Sequence, residues 1–170
     1  MLQTDRLQFK PFHSNYEAAL ENLCCENELV MKTTLKSRVF TKAEFKALVK
    51  DEFIHSEKDS FGFWCVISRE DGSLMGISGI HPCHYLERDS HEFGFILHHD
   101  YWGQGFATEI GNFWLQHARN QLKLPQLVAT VHPNNTASKK VLQKLGLNLI
   151  TTFTAPERGA RCLFCKVLLG

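Results

Sequence analysis

HEFGFILHHDYWGQGFATEI, residues 91–110, is the stretch that decides how this chain is read. From Glu92 to Leu97 it is a short apolar run rich in Phe and Ile, the pattern of a buried strand. Beyond it Phe106, Ile110, Phe113, Trp114 and His117 recur at helical spacing and form one apolar face. The turn between them carries Trp102, Gly103, Gln104 and Gly105. Its glycines let backbone N–H groups approach a ligand without an intervening Cβ, and the helix start adds unpaired donors and a positive dipole end. Such a strand–turn–helix is an anion site in prospect. By itself, Gly-x-Gly ahead of a helix is as often only a tight turn.

Working outward, Leu127 to Val131 is a second continuous apolar run, ended by His132 and Pro133. Asn134 and Asn135 then supply a helix cap, and the helix runs through Val141, Leu142 and Leu145 to Gly146, a natural stop. Residues 148–154 and 161–168 form a closing antiparallel pair around Pro156 and Gly159. Upstream, residues 61–68 and 74–80 are strands joined by an Asp71-Gly72 turn, and residues 81–90 form a loop leading into the focal strand. Two capping boxes, Ser14 with Glu17 and Thr41 with Glu44, open two helices. The polar link between them, residues 31–40, is a candidate mobile wall of a pocket. Residues 2–10 open the chain as a strand that Pro11 ends. Strands and helices in this order give a mixed α/β fold in one domain spanning residues 1–170.

Composition excludes several classes. At 44% hydrophobic and 22% charged residues the chain has globular values, not those of a disordered one. No apolar run reaches the ~18–20 residues of a membrane span and no leader is evident, so a cytoplasmic protein without membrane partners is expected. Six cysteines in that setting read as free thiols. No metal site is expected: Cys162 and Cys165 stand three apart in a strand, facing opposite sides, and His81, Cys83 and His84 read as loop residues. The charge is uneven, with 11 basic and 17 acidic residues in 1–118 against 8 and 1 in 119–170. An acidic first part suits a cationic ligand and a basic last third a polyanionic one. No basic run or nucleic-acid motif is present.

Three segments together resemble the GNAT superfamily of acyl-CoA-dependent N-acyltransferases, in particular its ribosomal-protein (RimJ/RimL-type) branch. LQTDRLQFKP (residues 2–11) is similar to the family's opening strand, YWGQGFATE (101–109) to its pyrophosphate loop, and NTASKKVLQKLGL (135–147) to its cofactor-contacting helix. The resemblance covers essentially the whole chain. It implies a mostly antiparallel, twisted sheet of about seven strands flanked by four helices and splayed between the fourth and fifth strands. The implied donor is acetyl-CoA and the implied acceptor a primary amine, with a monomer or homodimer as the working unit. Carried over by position, the backbone of Phe95, Ile96, Leu97 and His98 would bind the pantetheine arm as an added strand would. N–H groups of Gly103, Gln104, Gly105, Phe106, Ala107 and Thr108 would hold the pyrophosphate beside Trp102, Asn135 would touch the arm, and Lys140 would reach the ribose phosphate.

Attack on a thioester needs a neutral amine, yet a lysine-type amine has pKa ~10.4 and an α-amine ~7.7–8.0. Glu92 is the candidate base, directly or through water, with an edge-of-strand salt-bridge carboxylate as the competing reading. A backbone N–H near Leu97 would polarise the carbonyl. Many relatives place a Tyr donor later on the last helix, but Leu142 stands there, so Ser138 is the candidate acid toward the sulfur; helix-turn bonding or cofactor positioning is its alternative. His98, His99 and His132 stand near the implied gap as further candidate bases. The resulting expectation is an N-acetyltransferase acting by direct transfer, with a non-catalytic acyl-CoA sensor on the same fold as the rival.

Overall fold

The computed structural model describes all of residues 1–170. Eight strands form one sheet: β1 (Leu2–Gln3), β2 (Leu7–Lys10), β3 (Gly62–Ser68), β4 (Leu74–Tyr85), β5 (Arg88–Leu97), β6 (Gln126–Val131), β7 (Asn148–Ala155) and β8 (Gly159–Val167). Their spatial order is β1-β2-β3-β4-β5-β6-β8-β7. Five α-helices, α1 (Glu17–Glu21), α2 (Glu28–Met31), α3 (Lys42–Glu52), α4 (Phe106–Asn120) and α5 (Thr136–Lys144), cover its two faces. No helix is long and apolar enough to cross a membrane.

The element order agrees with the sequence reading, and the two extra elements have local causes. Leu2–Gln3 folds back on Gln8 and Phe9 as a separate edge strand. The first expected helix is split by Asn27, whose side chain accepts from the Val30 amide and restarts the chain as α2. The Ser14–Glu17 capping box does not form. Residues Ser14–Tyr16 make a 3-10 turn capped instead by the His13 ring, and α1 begins without a side-chain cap. The Thr41–Glu44 box forms with both of its bonds.

The largest departure lies at residues 81–90. They are not a loop: β4 and β5 continue as a long hairpin to the pair Tyr85↔Arg88. Its two-residue turn, Leu86-Glu87, has φ 52° and 60°, a left-handed pair that normally asks for Asn or Gly. Pro82 is tolerated because β3 stops opposite Ile80, so no neighbour on that side needs its missing N–H.

Two apolar clusters flank the sheet. Trp114, Ile110, Phe93 and Phe164 pack under α4 and α5, while Leu20, Phe45, Met31 and Ile77 pack under α1–α3. Gly111 lets α4 lie against Leu145 beyond α5, where a Cβ would meet the Leu145 side chain at 2.2 Å. The sheet is antiparallel except at β5 and β6, which register in parallel at a single pair, Glu92↔Val128. Beyond that pair the strands part. The splay expected between the fourth and fifth strands is therefore present, between β5 and β6 once the extra edge strand is counted.

Candidate active site

The turn before α4 takes the form the glycines allow. Gly103 and Gly105 sit at φ 70° and 82°, the left-handed region. Gly105 precedes the first turn of α4 and no side chain caps it, so the leading amides of the helix keep free donors at the positive end of a 15-residue helix. Arg6 braces the turn from outside. Its Nη1 donates to the Gln104 carbonyl at 3.1 Å, its Nη2 pairs with Glu109 at 2.7 Å, and its guanidinium lies 4.0 Å over the Phe106 ring. Burial pushes the Glu109 carboxyl up, but bonds from Thr4 and Arg6 outweigh this and hold it below the usual carboxylate range. The sequence reading gave neither residue a role; together Arg6 and Glu109 fix the shape of the turn.

A cavity of about 420 Å³ opens on this turn, lined by Phe95, Ile96 and Leu97 of β5, by Trp102, Gly103, Gly105, Phe106, Ala107 and Thr108, and by Asn135, Ser138 and Lys140 of the last cap and helix. Gln104 turns its side chain away, to the Asp100 carbonyl at 2.8 Å. Trp102 donates its indole N–H to the Leu97 carbonyl at 3.0 Å. The His98 amide donates to Met75 across β4 at 2.9 Å, and alternation along the antiparallel pair turns Ile96 the same way. Of the four residues expected to meet a pantetheine arm, Phe95 and Leu97 therefore turn their amides into the splay, while His98 and Ile96 serve the sheet. His98, His99 and Asp100 place ligand-type atoms within 4.8 Å of one another, but the His98 ring caps the Asp100 amide and the His99 ring contacts Asn27.

Deeper in the splay is a small space of about 90 Å³. It shares Phe95, Ile96, Asn135 and Ser138 with the first cavity, and Glu92, Phe63, Gly94 and Arg158 with a third space of about 610 Å³ on the other side. Glu92 thus lines the small space and the 610 Å³ cavity, and the small space alone connects it to the 420 Å³ cavity. Its Oε1 accepts from Thr130 at 3.0 Å and lies 3.6 Å from Arg158 Nη1, while Oε2 accepts from the Tyr85 hydroxyl. Burial first, then the charge of Glu92, pushes the Tyr85 phenol up, so it stays a donor. The competing reading of Glu92, a carboxylate with a salt-bridge partner, describes a real contact, but the pair lines a cavity instead of an outer edge. The Arg158 Nε is buried and meets no protein acceptor.

Ser138 donates its amide to Asn135 Oδ1 at 3.1 Å, which leaves the hydroxyl uncommitted to the helix cap. Asn135 reaches with its amide nitrogen to Thr33 at 3.3 Å. The wall at residues 31–40 is tied down further by Arg161, buried to 1% exposure, which bonds the Leu35 carbonyl at 2.7 Å and the Ser37 hydroxyl at 3.1 Å. His132 lines the small space, with burial and the charges of Arg161 and Lys139 pushing its ring toward the neutral form. The 610 Å³ cavity carries Glu44, Asp51, Glu52, Glu92 and Glu157 against Lys36 and Arg158. Glu44 is neutralised by Arg38 and Lys36. Asp51 has no basic partner, and Glu52 has only His81, whose ring burial drives toward neutrality.

Comparison with known proteins accords with this geometry. A family model described as an acetyltransferase (GNAT) domain matches residues 6–148. The chain is 28% identical over 86% of its length, and 81% of the relative's, to a Bacillus subtilis protein named as an uncharacterized N-acetyltransferase, YnaD. Its fold overlays the spermidine N-acetyltransferase of Vibrio cholerae, solved with CoA and spermine, at TM-score 0.75 and 17% identity, covering 97% of each chain. It overlays RimL, a ribosomal L7/L12 α-N-protein acetyltransferase in complex with coenzyme A, also at TM-score 0.75, with 12% identity and 97% and 96% of the two chains covered. With a model spanning most of its length and a splayed sheet of the matching kind, this chain belongs to the GNAT family of acetyltransferases.

Proposed function

We propose that the chain works as a single domain that moves the acetyl group of acetyl-CoA to a primary amine by direct attack, with no covalent intermediate on the enzyme. The observation that carries this reading is the place of Glu92, between a cavity built for an anionic, strand-like arm and a second cavity with an acidic wall. The main-chain donors at Gly103–Thr108 suit the diphosphate, and the Phe95 and Leu97 amides suit the pantetheine arm. Lys140, at the rim of that cavity, suits the ribose phosphate as a point charge.

In this scheme the acceptor enters as an ammonium through the 610 Å³ cavity, gives a proton to Glu92 or to water held on it, and attacks the thioester carbon. The Phe95 amide, at the thioester end of the arm and lining both the 420 Å³ cavity and the small space beside Glu92, meets the oxygen that gains charge, a contribution of about 3 kcal/mol. The C–N bond forms, the C–S bond breaks, and the Ser138 hydroxyl protonates the departing thiolate while regaining a proton from the nitrogen, directly or through water, which leaves the neutral amide. Asp51 and Glu52, lacking a firm cationic partner, favour an acceptor that carries positive charge beyond its reacting nitrogen. A basic protein N-terminus and a polyamine both fit that description. Two neighbours with different acceptors overlay this fold equally well, so the fold does not choose between them.

The test is an amine panel: thiol release from acetyl-CoA measured with polyamines, lysine-rich N-terminal peptides and neutral amines. Turnover with the cationic members is expected, and Glu92→Gln should alter the pH profile of the rate while leaving CoA affinity within twofold. Binding of acetyl-CoA without turnover on any member would return the sensor reading. An unchanged pH profile in Glu92→Gln would remove Glu92 from the chemistry.

A further inference from the structure

We infer that Arg158, in the turn between β7 and β8, is a positioning residue that locks the Glu92 carboxylate into the orientation needed to take the acceptor's proton. The inference rests on the role proposed for Glu92. The turn holds Arg158 between two left-handed residues, Glu157 at φ 59° and Gly159 at φ 74°, and its amide is bonded back to the Ala155 carbonyl at 3.2 Å. From there the side chain reaches over the splay to two hydroxyls on different strands. Nη1 donates to the Tyr85 oxygen at 2.9 Å and Nη2 to the Thr130 oxygen at 3.0 Å.

Each hydroxyl then spends its own proton on Glu92: Tyr85 on Oε2 and Thr130 on Oε1. Arg158 therefore drives two parallel relays, guanidinium to hydroxyl to carboxylate. A hydroxyl that accepts from a cation becomes a stronger donor, so both relays tighten on the carboxylate. Each oxygen accepts from one hydroxyl and keeps one lone-pair site; that of Oε1 is faced by Nη1 at 3.6 Å, which leaves the one on Oε2 for a ligand. That remaining site belongs to a residue lining both the transfer space and the acidic cavity, where the incoming ammonium or its water must bind.

Both Nη atoms of Arg158 are committed to the two hydroxyls around Glu92. The neighbouring Arg161, more deeply buried, spends its donors on backbone and Ser37 instead and contacts none of these groups.

The experiment is steady-state kinetics on Arg158→Ala and Arg158→Lys beside Glu92→Gln, with acetyl-CoA affinity as the check on folding. Arg158→Ala should lower kcat about a hundredfold through misplacement of the base, with acetyl-CoA Kd and the amine KM within about twofold. Millimolar guanidinium should restore part of that rate in Arg158→Ala and none in Glu92→Gln. Arg158→Lys, which keeps the charge and one relay, should fall less. If Glu92→Gln loses the rate while Arg158→Ala keeps it, the inference fails and the role of Glu92 stands. Equal losses in the Ala and Lys variants with no guanidinium rescue would also overturn it. Full activity in Glu92→Gln would instead remove the reading on which it rests.

Discussion

Replacing Gly105 by Ala tests whether the turn before α4 is the diphosphate site. The residue sits at φ 82° and ψ 2°, and a Cβ built there meets only Arg6 Nη2, at 3.5 Å. Space is therefore not the obstacle; the backbone angle is. Holding a non-glycine residue in the left-handed region costs about 1–2 kcal/mol. For a chain of this size each kcal/mol lowers Tm by about 2–4 °C, so the drop should be roughly 2–8 °C. If the turn relaxes to escape the strain, its donors rotate off the ligand. Losing one charge-assisted hydrogen bond, worth about 1.5–3 kcal/mol, would weaken CoA binding roughly ten- to hundredfold. Differential scanning fluorimetry reads the first quantity and titration calorimetry with CoA the second. Dephospho-CoA, which keeps the diphosphate but lacks the ribose phosphate, should suffer the same loss. An unchanged Tm, which marks a relaxed turn, with CoA affinity untouched would refute the assignment, because the displaced donors would then lie outside the ligand's footprint.

Three further outcomes follow from the same structure. Gly111→Ala places a methyl 2.2 Å from Leu145 Cδ1 and should destabilise by about 1–3 kcal/mol, with Gly111→Ala/Leu145→Ala recovering part of the loss; thermal melts of the three proteins decide it. Glu109 is held below the usual carboxylate range, so its bonds to Thr4 and Arg6 contribute stability that is full above the unfolded pKa and is lost as pH falls through the lower folded value. Melts of wild type and Glu109→Gln should accordingly differ at pH 7 and converge in acid, and a gap that widens in acid would contradict the assignment. Ser138→Ala keeps the amide that Asn135 caps and removes only the hydroxyl, so CoA affinity should hold while kcat drops at least about tenfold; an unchanged kcat would strike Ser138 from the role of acid.

Local signals carried much of this architecture. The glycine turn, the helix after it and the Asn135 cap each depend on residues within one turn of chain, and each forms where the pattern places it. The β4–β5 hairpin was hidden because its evidence lies across the pair. His81, Pro82, Cys83 and His84 read as loop residues one strand at a time, and Leu86-Glu87 lacks the usual turn chemistry, yet Tyr85 meets Arg88 and His81 meets Glu92 in register. The pairing of His84 with Asp89 at 2.7 Å, across that turn, was the one short-range clue. Arg6 and Arg158 were out of reach for the same reason: their partners stand 98 and 103 residues away in one case, and 28 and 73 in the other. The Ser14 cap failed because the Glu17 amide its hydroxyl would have accepted from bonds the Ser14 carbonyl in the 3-10 turn instead.

The lone parallel pair Glu92↔Val128 leaves the sheet with a passage open at both faces. If the donor fills the 420 Å³ cavity and the acceptor the 610 Å³ one, as proposed, neither has to leave before the other arrives. Velocity plots at several fixed amine concentrations should then intersect, as for a ternary complex, and the acetylated amine can depart by its own doorway while the spent nucleotide still occupies the other.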